Sequence, residues 1–181
     1  MSPEERDAAA KELLARVRAL VHPLDDSTIM KGTAAAGLPE RLYGKFFNCI
    51  LEIGTCRGVS AAVFSFYADT VITIDIVGRH EVPYILAIAG AAARVIPVVV
   101  DGEPAKNRLI RAATFDMAFI DGNHKAPHVQ VDFDLVKKCG CVLFHDYPVS
   151  GGGFRGGGEC VDAITEGVVE RCEPFAWWRA E

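Results

Sequence analysis

Apolar residues near the start of the chain recur at helical spacing, three and four positions apart. Ser2, Pro3 and Glu5 just before them form a capping box with proline at the first helical position. The pattern predicts an amphipathic helix that ends near His22, then a connecting loop over residues 24–40 and a helix over residues 38–47. The apolar positions of the first helix are Leu13, Leu14, Val17, Leu20 and Val21.

From residue 48 onward, short apolar runs rich in β-branched residues alternate with helical patterns. The runs predict strands over residues 49–53, 71–75, 95–100, 115–120 and 141–144, and two final strands over 168–172 and 175–178. The intervening patterns predict helices over residues 59–67, 84–93, 105–113, 127–138 and 159–166. Continuous apolar strands between helices are typical of parallel strands covered on both faces.

The alternation predicts an α/β fold with a doubly wound, mostly parallel seven-stranded sheet that ends in an antiparallel C-terminal hairpin. We expect residues 1–181 to form a single domain, with a helical extension over 1–47 and an α/β core over 48–181. The length of 181 residues, half of them hydrophobic, suits one domain with a real core.

The charge balance limits the classes of partner. With 19 basic and 24 acidic residues, the formal net charge is −5. A chain without a basic stripe is a poor candidate for non-specific nucleic-acid binding, so we expect no nucleic-acid partner.

Neither a signal peptide nor a membrane span is predicted. Residues 1–20 are charged throughout, and the most apolar stretch, residues 82–100, contains Pro83, Arg94 and Pro97. That stretch is better explained as a buried helix followed by a buried strand. We therefore expect a cytoplasmic protein with no membrane partner. The six cysteines are irregularly spaced, which indicates small buried side chains in a reducing compartment rather than a zinc site.

Acidic residues follow five successive predicted strands: Glu52, Asp75, Asp101, Asp121 and Asp146. In an open α/β sheet, ligands bind beyond the carboxyl ends of the strands, where the strand order reverses. Packing does not require an acid at every strand end. The series favours a hydroxyl-rich or cationic ligand, or a metal.

The loop after the first strand is not a dinucleotide-binding loop. Gly54 and Gly58 are separated by three residues, with Cys56 between them, and Glu52 precedes them. A carboxylate there would repel a pyrophosphate but suits a ligand with an amino group and a sulfonium charge. A tight strand-to-helix turn that needs two glycines would produce the same pattern.

Asp75 and Asp101 suggest contacts with a nucleoside. Asp75 ends the second strand, where an acid can accept both hydroxyls of a ribose, although NAD would be held in the same way. Asp101 and Gly102 follow the third strand and are candidates to border an adenine ring. Asp101 is equally explained as a turn residue or helix cap.

Four segments together resemble the class I S-adenosylmethionine-dependent methyltransferases, especially the small-molecule O-methyltransferases related to catechol and macrolide-sugar enzymes. The segments are residues 51–60, 72–75, 115–124 and 140–147. The most specific parts are Phe-Ile-Asp-Gly-Asn-His, ending at His124, and Phe-His-Asp-Tyr, ending at Tyr147. With the final hairpin, the resemblance covers roughly residues 48–178.

The resemblance implies a Rossmann-like methyltransferase fold, S-adenosylmethionine as cofactor and O-methylation of a small hydroxylated molecule. Residues 52–58 would hold the methionine part of the cofactor, Asp75 the ribose, and Asp101 with Gly102 the adenine. Asp121 would face the transferable methyl group and the acceptor. The full set of implied cofactor residues is Glu52, Gly54, Thr55, Cys56, Gly58, Ser60, Asp75, Ile76, Asp101, Gly102 and Asp121.

Two means of activating the acceptor hydroxyl stay open. Relatives often use Mg²⁺ or another divalent cation, for which Asp121 and Asp146 are the matching ligands, but Tyr147 stands where metal-dependent relatives usually carry Asn or a second acid. The other means is a histidine base, with an ordinary pKa near ~6.5. His124 and His145 are the candidates, and we prefer His124.

The end of the chain offers two further features. The glycine-rich residues 151–158 predict either a lid with Arg155 at its tip or a plain flexible connection. Trp177 and Trp178 are neighbours on a strand, so one is expected to point inward and one outward, with at least one in the core.

Other functions fit the same sequence. A nicotinamide- or nucleotide-binding oxidoreductase would use a similar sheet. A non-catalytic binding protein that retains the fold is the third option, because only about 47 residues precede the first strand and leave little material for a substrate cap. The resemblance also allows a homodimer formed through the N-terminal helices.

Overall fold

A computed structural model describes residues 1–21, 37–147, 156–164 and 166–181. The helices of this part are α1 (Pro3–Val21), α2 (Leu38–Leu42), α3 (Val59–Phe64), α4 (Glu81–Ile88), α5 (Gly102–Ala112), α6 (Ala126–Val136) and α7 (Gly156–Ala163). Its strands are β1 (Phe47–Ile53), β2 (Ala68–Asp75), β3 (Val95–Val99), β4 (Met117–Ile120), β5 (Cys141–His145), β6 (Val168–Cys172) and β7 (Phe175–Arg179).

The described strands form one seven-stranded sheet in the order β3-β2-β1-β4-β5-β7-β6. Strands β1 to β5 pair in parallel, whereas β7 lies antiparallel to both β5 and β6. The predicted doubly wound sheet with an antiparallel C-terminal hairpin is therefore confirmed. Strand order reverses between β1 and β4, and this is where a crevice opens in such sheets.

The sheet separates two hydrophobic clusters, because successive strand residues point to opposite faces. Ile50 packs on the side of α1, α3 and α4, while Leu51 and Ile53 pack on the side of α5 and α6. Trp177 and Trp178 follow the same rule and enter opposite clusters with 2% and 4% of their surface exposed. The expectation that one of them points outward is wrong, because helices cover both faces of the sheet.

The start of α1 bears out its sequence signal. Glu5 N donates to Ser2 Oγ over 3.2 Å, and Ser2 N donates back to Glu5 Oε2 over 2.7 Å. This reciprocal pair satisfies backbone donors that have no partner within the helix.

Several predicted helices are too long, and the one expected over residues 84–93 ends at Ile88. The helix expected over residues 38–47 ends at Leu42, and β1 already begins at Phe47, whose N–H donates to Tyr67 O over 2.9 Å. The helix expected over residues 59–67 ends at Phe64, because β2 begins at Ala68. Phe47 and Tyr67, which the apolar pattern alone assigned to helices, are joined by this hydrogen bond where β1 meets the start of β2.

The predicted glycine-rich loop is wrong at its end, where Gly156, Gly157 and Gly158 form the first turn of α7. Residues 148–155, with Arg155, lie outside the described residues, as do residues 22–36 of the predicted connecting loop. All six cysteines are free thiols. Cys160 is buried as expected, but Cys56 is exposed, because it lies on the loop that follows β1.

Among the described residues, no helix is both long enough and apolar enough to cross a membrane.

Candidate active site

A cavity of about 380 Å³ lies at the carboxyl ends of the central strands. Its wall combines residues that follow β1, β2 and β4 with the first turns of α5. The lining residues are Ile53, Gly54, Cys56, Ile74, Asp75, Ile76, Arg79, Glu103, Lys106, Asp121, Gly122, Asn123 and His124. A larger open depression of about 840 Å³ lies near Arg111 and Lys138, at the opposite end of the sheet, and contains none of the predicted site residues.

Asp75 is held rigidly at the edge of this cavity by two backbone donors. Cys56 N donates to its Oδ2 over 2.9 Å, and Val77 N donates to its Oδ1 over 3.0 Å. Cys56 adopts a positive φ of 45° to do so. A carboxylate oxygen can accept more than one hydrogen bond, so each oxygen keeps capacity for a ligand hydroxyl.

Glu52 does not line the cavity. It is fully buried on the α3 face of β1, where it forms hydrogen bonds with Ser60 and, over 2.5 Å, with Thr73 Oγ1. Burial raises the pKa of the Glu52 carboxyl to about 8, against the opposing effect of these hydrogen bonds. The side chain is therefore a neutral acid at pH 7. The expectation that it presents an anion to the ligand is wrong, because β1 is covered by helices on both faces.

Several other predicted cofactor residues do not line the cavity. Thr55 is buried and shares a hydrogen bond of 2.7 Å with Thr73, and Gly58, at a φ of 83°, immediately precedes α3. Asp101 and Gly102 lie at the start of α5 but do not line the cavity. Residues of the following helical turns, Glu103 and Lys106, do so instead.

The ends of β4 and β5 bring together all four predicted catalytic residues. His145 Nδ1 lies 2.9 Å from Asp121 Oδ1 and 3.0 Å from Asp146 Oδ1. His124 Nδ1 lies 2.8 Å from Asp146 Oδ2. Asp146 thus links the two histidines, and its positive φ of 60° turns its carboxylate back toward them.

The charges of this cluster distinguish the two histidines. Burial alone would lower the pKa of His145, but the hydrogen bonds and charges of Asp121 and Asp146 raise it to about 9. His145 therefore carries a proton at pH 7 and is not available as a base. Hydrogen bonding to Asp146 also raises the pKa of His124, against the effect of burial. The pKa of Asp146 lies well below its ordinary value, because the two histidines outweigh its burial.

The same cluster has the donor chemistry of a cation site. Asp121, His145 and Asp146 each offer one ligand atom, and these atoms lie within 4.8 Å of one another. Two carboxylates and an imidazole suit a divalent cation. Tyr147 is not a further ligand, because its hydroxyl donates to Asp162 over 2.9 Å and accepts from Arg171 over 2.7 Å.

Among the cavity residues with polar side chains, four were assigned no role from sequence: Arg79, Glu103, Lys106 and Asn123. Asn123 lies inside the segment 115–124 that carries the resemblance, but no role was assigned to it, and Arg79 lies shortly after the segment 72–75. Lys106 gives no sequence signal, because a lysine on a helix is usually solvated.

Fold and site together define a class I methyltransferase. The crevice lies where strand order reverses at β1 and β4, with an acid after β2 and a cluster of acids and histidines after β4 and β5. A family model described as "Methyltransferase domain" matches residues 51–147, which is more than half of the chain. The chain belongs to this methyltransferase family.

Solved methyltransferase structures share the fold at low sequence identity. An O-methyltransferase from Bacillus cereus in complex with SAH is 16% identical, with a TM-score of 0.63, over 96% of this chain and 91% of that one. An SAH-bound methyltransferase from Podospora anserina is 17% identical, with a TM-score of 0.67, over 93% and 88% of the two chains.

A third similar structure is the O-methyltransferase TomG from Streptomyces achromogenes in complex with SAM. It is 19% identical, with a TM-score of 0.60, over 98% of this chain and 90% of that one. No curated protein sequence matches the chain.

Proposed function

We propose that this protein transfers the methyl group of S-adenosylmethionine to a hydroxyl group of a small molecule. The observation that carries the proposal is that Asp75, Asp121 and His124 line one cavity. An acid that can bind the ribose, Asp75, and the cluster that can accept a proton, Asp121 with His124, therefore line the same cavity. Methyl transfer is an in-line displacement on the sulfonium carbon, so this shared space is what the reaction needs.

The cofactor side of the cavity suits a sulfonium nucleoside. Asp75 keeps hydrogen-bonding capacity for the two ribose hydroxyls, and Gly54 lines the same cavity just after β1. Asp121, at the cavity wall, would lie beside the positively charged sulfonium. The SAH and SAM complexes of the similar structures from Bacillus cereus, Podospora anserina and Streptomyces achromogenes support the same cofactor here.

We infer that His124 accepts the proton of the acceptor hydroxyl. It lines the cavity, is oriented by Asp146, and has a raised pKa that makes its neutral form a stronger base. His145 is already protonated at pH 7 and lies deeper, so its role would be to hold Asp121 and Asp146 in place.

A divalent cation is the second means of activation that the cluster allows. Asp121, Asp146 and His145 would hold it. A bound cation of this kind would lower the pKa of an acceptor hydroxyl. Asp121 would then lose its contact with the His145 proton, since a nitrogen that binds a metal carries no proton.

The test is transfer of the labelled methyl group of S-adenosylmethionine to a panel of catechols, phenols and sugars, with EDTA or Mg²⁺ in parallel reactions. Labelled methyl ether on at least one acceptor is the expected product. Loss of transfer in EDTA and its return with Mg²⁺ would assign activation to the cation, and EDTA-resistant transfer would assign it to His124. S-adenosylmethionine that binds but methylates only amines or carbon atoms would contradict the O-methylation proposal.

A further inference from the structure

The backbone turns sharply at Asp146, directly after β5. Asp146 has a positive φ of 60°, a conformation that residues other than glycine rarely adopt. In this conformation its carboxylate contacts His124 Nδ1 over 2.8 Å and His145 Nδ1 over 3.0 Å. A residue stays in such a conformation only where the surrounding structure holds it there, so its neighbours on both sides decide where its carboxylate lies.

Both neighbours of Asp146 are fixed in place. Before it, β5 pairs with β7 along its whole length. After it, the N–H of Tyr147 donates to Pro174 O, just before β7, over 3.0 Å. The Tyr147 side chain is 7% exposed and belongs to the hydrophobic cluster that includes Val161 of α7. Asp146 is therefore a single turning residue between two held segments.

The phenol hydroxyl of Tyr147 has two charged partners. It donates to Asp162 Oδ1 on α7 over 2.9 Å and accepts from Arg171 Nε on β6 over 2.7 Å. Arg171 Nη2 also donates to Asp162 Oδ1, over 3.0 Å, so each of the three side chains bonds to the other two. The Arg171 and Asp162 side chains are 51% and 59% exposed, whereas the tyrosine between them is buried. This hydrogen-bond network connects the residue after Asp146 to both α7 and β6.

We propose that Tyr147 is a positioning residue of the active site, whose hydroxyl holds Asp146 where one carboxylate contacts both His124 and His145. A phenylalanine would fill the same space but would leave this turn without its hydrogen bonds to α7 and β6. The turn would then relax from its positive φ and carry the carboxylate away from His124. For its effect on catalysis this inference rests on the proposed function, whereas the contacts themselves belong to the ligand-free protein.

The two histidines differ in what they would lose. An ionised carboxylate only accepts hydrogen bonds, so Nδ1 of each histidine carries the proton that it shares with Asp146. His145 Nδ1 also lies 2.9 Å from Asp121 Oδ1 and would keep that acceptor. The carboxylate beside His124 Nδ1 is that of Asp146. Displacement of Asp146 should therefore affect the proton on His124 more than the proton on His145.

The experiment records the imidazole N–H signals of the ligand-free protein by proton–nitrogen NMR, in which a proton is seen when a hydrogen bond slows its exchange with water. His124→Gln and His145→Gln assign the two signals. Tyr147→Phe removes the hydroxyl and keeps the aromatic ring. The double variant Asp162→Ala/Arg171→Ala removes both partners and keeps the tyrosine. Because both of those side chains are exposed, the double variant should fold even if Tyr147→Phe does not.

Two controls match these changes elsewhere in the molecule. Tyr43→Phe removes a hydroxyl that also donates to a carboxylate, Glu4 Oε1, over 2.9 Å. Glu170→Ala/Arg179→Ala removes another exposed ion pair of the C-terminal hairpin, in which the charged atoms lie 3.6 Å apart. A melting curve for each variant checks that it is folded.

The wild type and both controls are expected to show the Nδ1–H signals of both histidines. In Tyr147→Phe and in Asp162→Ala/Arg171→Ala, the His124 signal should disappear while the His145 signal remains. Retention of the His124 signal in both folded variants would overturn the inference. Its absence from the wild type would do so too, because the inference takes this proton to be held by Asp146.

Kinetics give a second readout. On an acceptor that the wild type methylates, kcat should fall about tenfold in Tyr147→Phe and in the double variant, while KM for S-adenosylmethionine changes less than about twofold. An unchanged kcat in the folded variants would count against the inference. A wild type that transfers methyl to no acceptor would instead contradict the proposed function, and the NMR comparison would still decide the role of Tyr147.

Discussion

Gly54 and Asp121 directly follow the neighbouring strands β1 and β4 and lie so close together that a Cβ on Gly54 would be 2.2 Å from the carbonyl oxygen of Asp121. Gly54 also has a φ of 103°, a conformation that other residues rarely adopt. The Asp121 N–H donates to Ile53 O over 2.9 Å, which fixes this close approach. The floor of the cavity therefore requires glycine at this position for two independent reasons.

Gly54→Ala should be much more damaging than an alanine at another glycine of similar conformation. Gly44, at a φ of 74° with no atom within 4 Å of the position that a Cβ would take, is the control. Gly44→Ala should lower the free energy of unfolding by about 1–2 kcal/mol, the conformational cost alone. Gly54→Ala adds a backbone clash and should cost at least about 2 kcal/mol more in urea unfolding. Equal losses would mean that the strand ends move apart freely.

Asp75→Ala should weaken S-adenosylhomocysteine binding about tenfold or more in calorimetry, through loss of hydrogen bonds to a charged acceptor. The alanine also removes the acceptor for Cys56 N and Val77 N. The affinity of Asp75→Asn, which keeps one acceptor oxygen, should therefore lie between those of the wild type and Asp75→Ala. Asp69→Ala, exposed at the start of the same strand, should leave affinity unchanged. An unaltered affinity in Asp75→Ala would refute its assignment to the ribose.

Asp146→Asn should lower kcat while leaving cofactor affinity nearly intact. We choose asparagine because it tolerates the positive φ at this position. Without the carboxylate, the pKa of His124 should fall. In a plot of kcat against pH, the rise in kcat that follows the deprotonation of His124 should therefore move to lower pH. The expected loss in kcat is about tenfold or more.

Asp134→Asn, on the exposed side of α6, is the control for this variant and should keep the wild-type kcat. Equal losses of kcat and of cofactor affinity in Asp146→Asn would show that Asp146 supports the fold rather than the chemistry.

Glu52→Gln should change how stability depends on pH. The folded protein keeps the Glu52 proton up to a pKa of about 8, whereas the ordinary value is 4.5. As the pH rises, the unfolded chain therefore releases this proton first. Between those two pKa values the free energy of unfolding of the wild type falls by up to about 1.4 kcal/mol per pH unit. Glutamine does not titrate, so it removes this dependence. In urea unfolding, the free energy of unfolding of Glu52→Gln relative to that of the wild type should therefore increase from pH 5 to pH 8.

The exposed Glu12→Gln on α1 should show no such trend against the wild type. A constant difference between Glu52→Gln and the wild type across this range would mean that Glu52 is ionised in the folded protein.

The order of the core elements could be predicted from sequence because it depends on local patterns. Apolar runs alternating with helical spacing indicated the sheet, and acids at strand ends indicated where a site would form. Asp75, Asp121 and His124 line the cavity because the carboxyl ends of parallel strands meet at one edge. The helix over residues 38–47 failed because pairing of Phe47 with β2 is a long-range contact that local pattern does not contain.

The protonation states of the site could not be predicted from sequence. Glu52 and His145 depart from their ordinary behaviour in the same direction, toward the protonated form, but for different reasons. Burial of Glu52 disfavours its charge, whereas His145 gains two carboxylate partners. Lys106 was missed because its burial depends on how α5 packs against α6.

Calorimetric titration of the wild-type protein with S-adenosylhomocysteine and, separately, with NADH tests the central claim most directly. We predict saturable binding of one S-adenosylhomocysteine per chain, with a melting temperature that rises as the ligand concentration rises, and no binding of NADH. Binding of NADH with no response to S-adenosylhomocysteine would contradict the account.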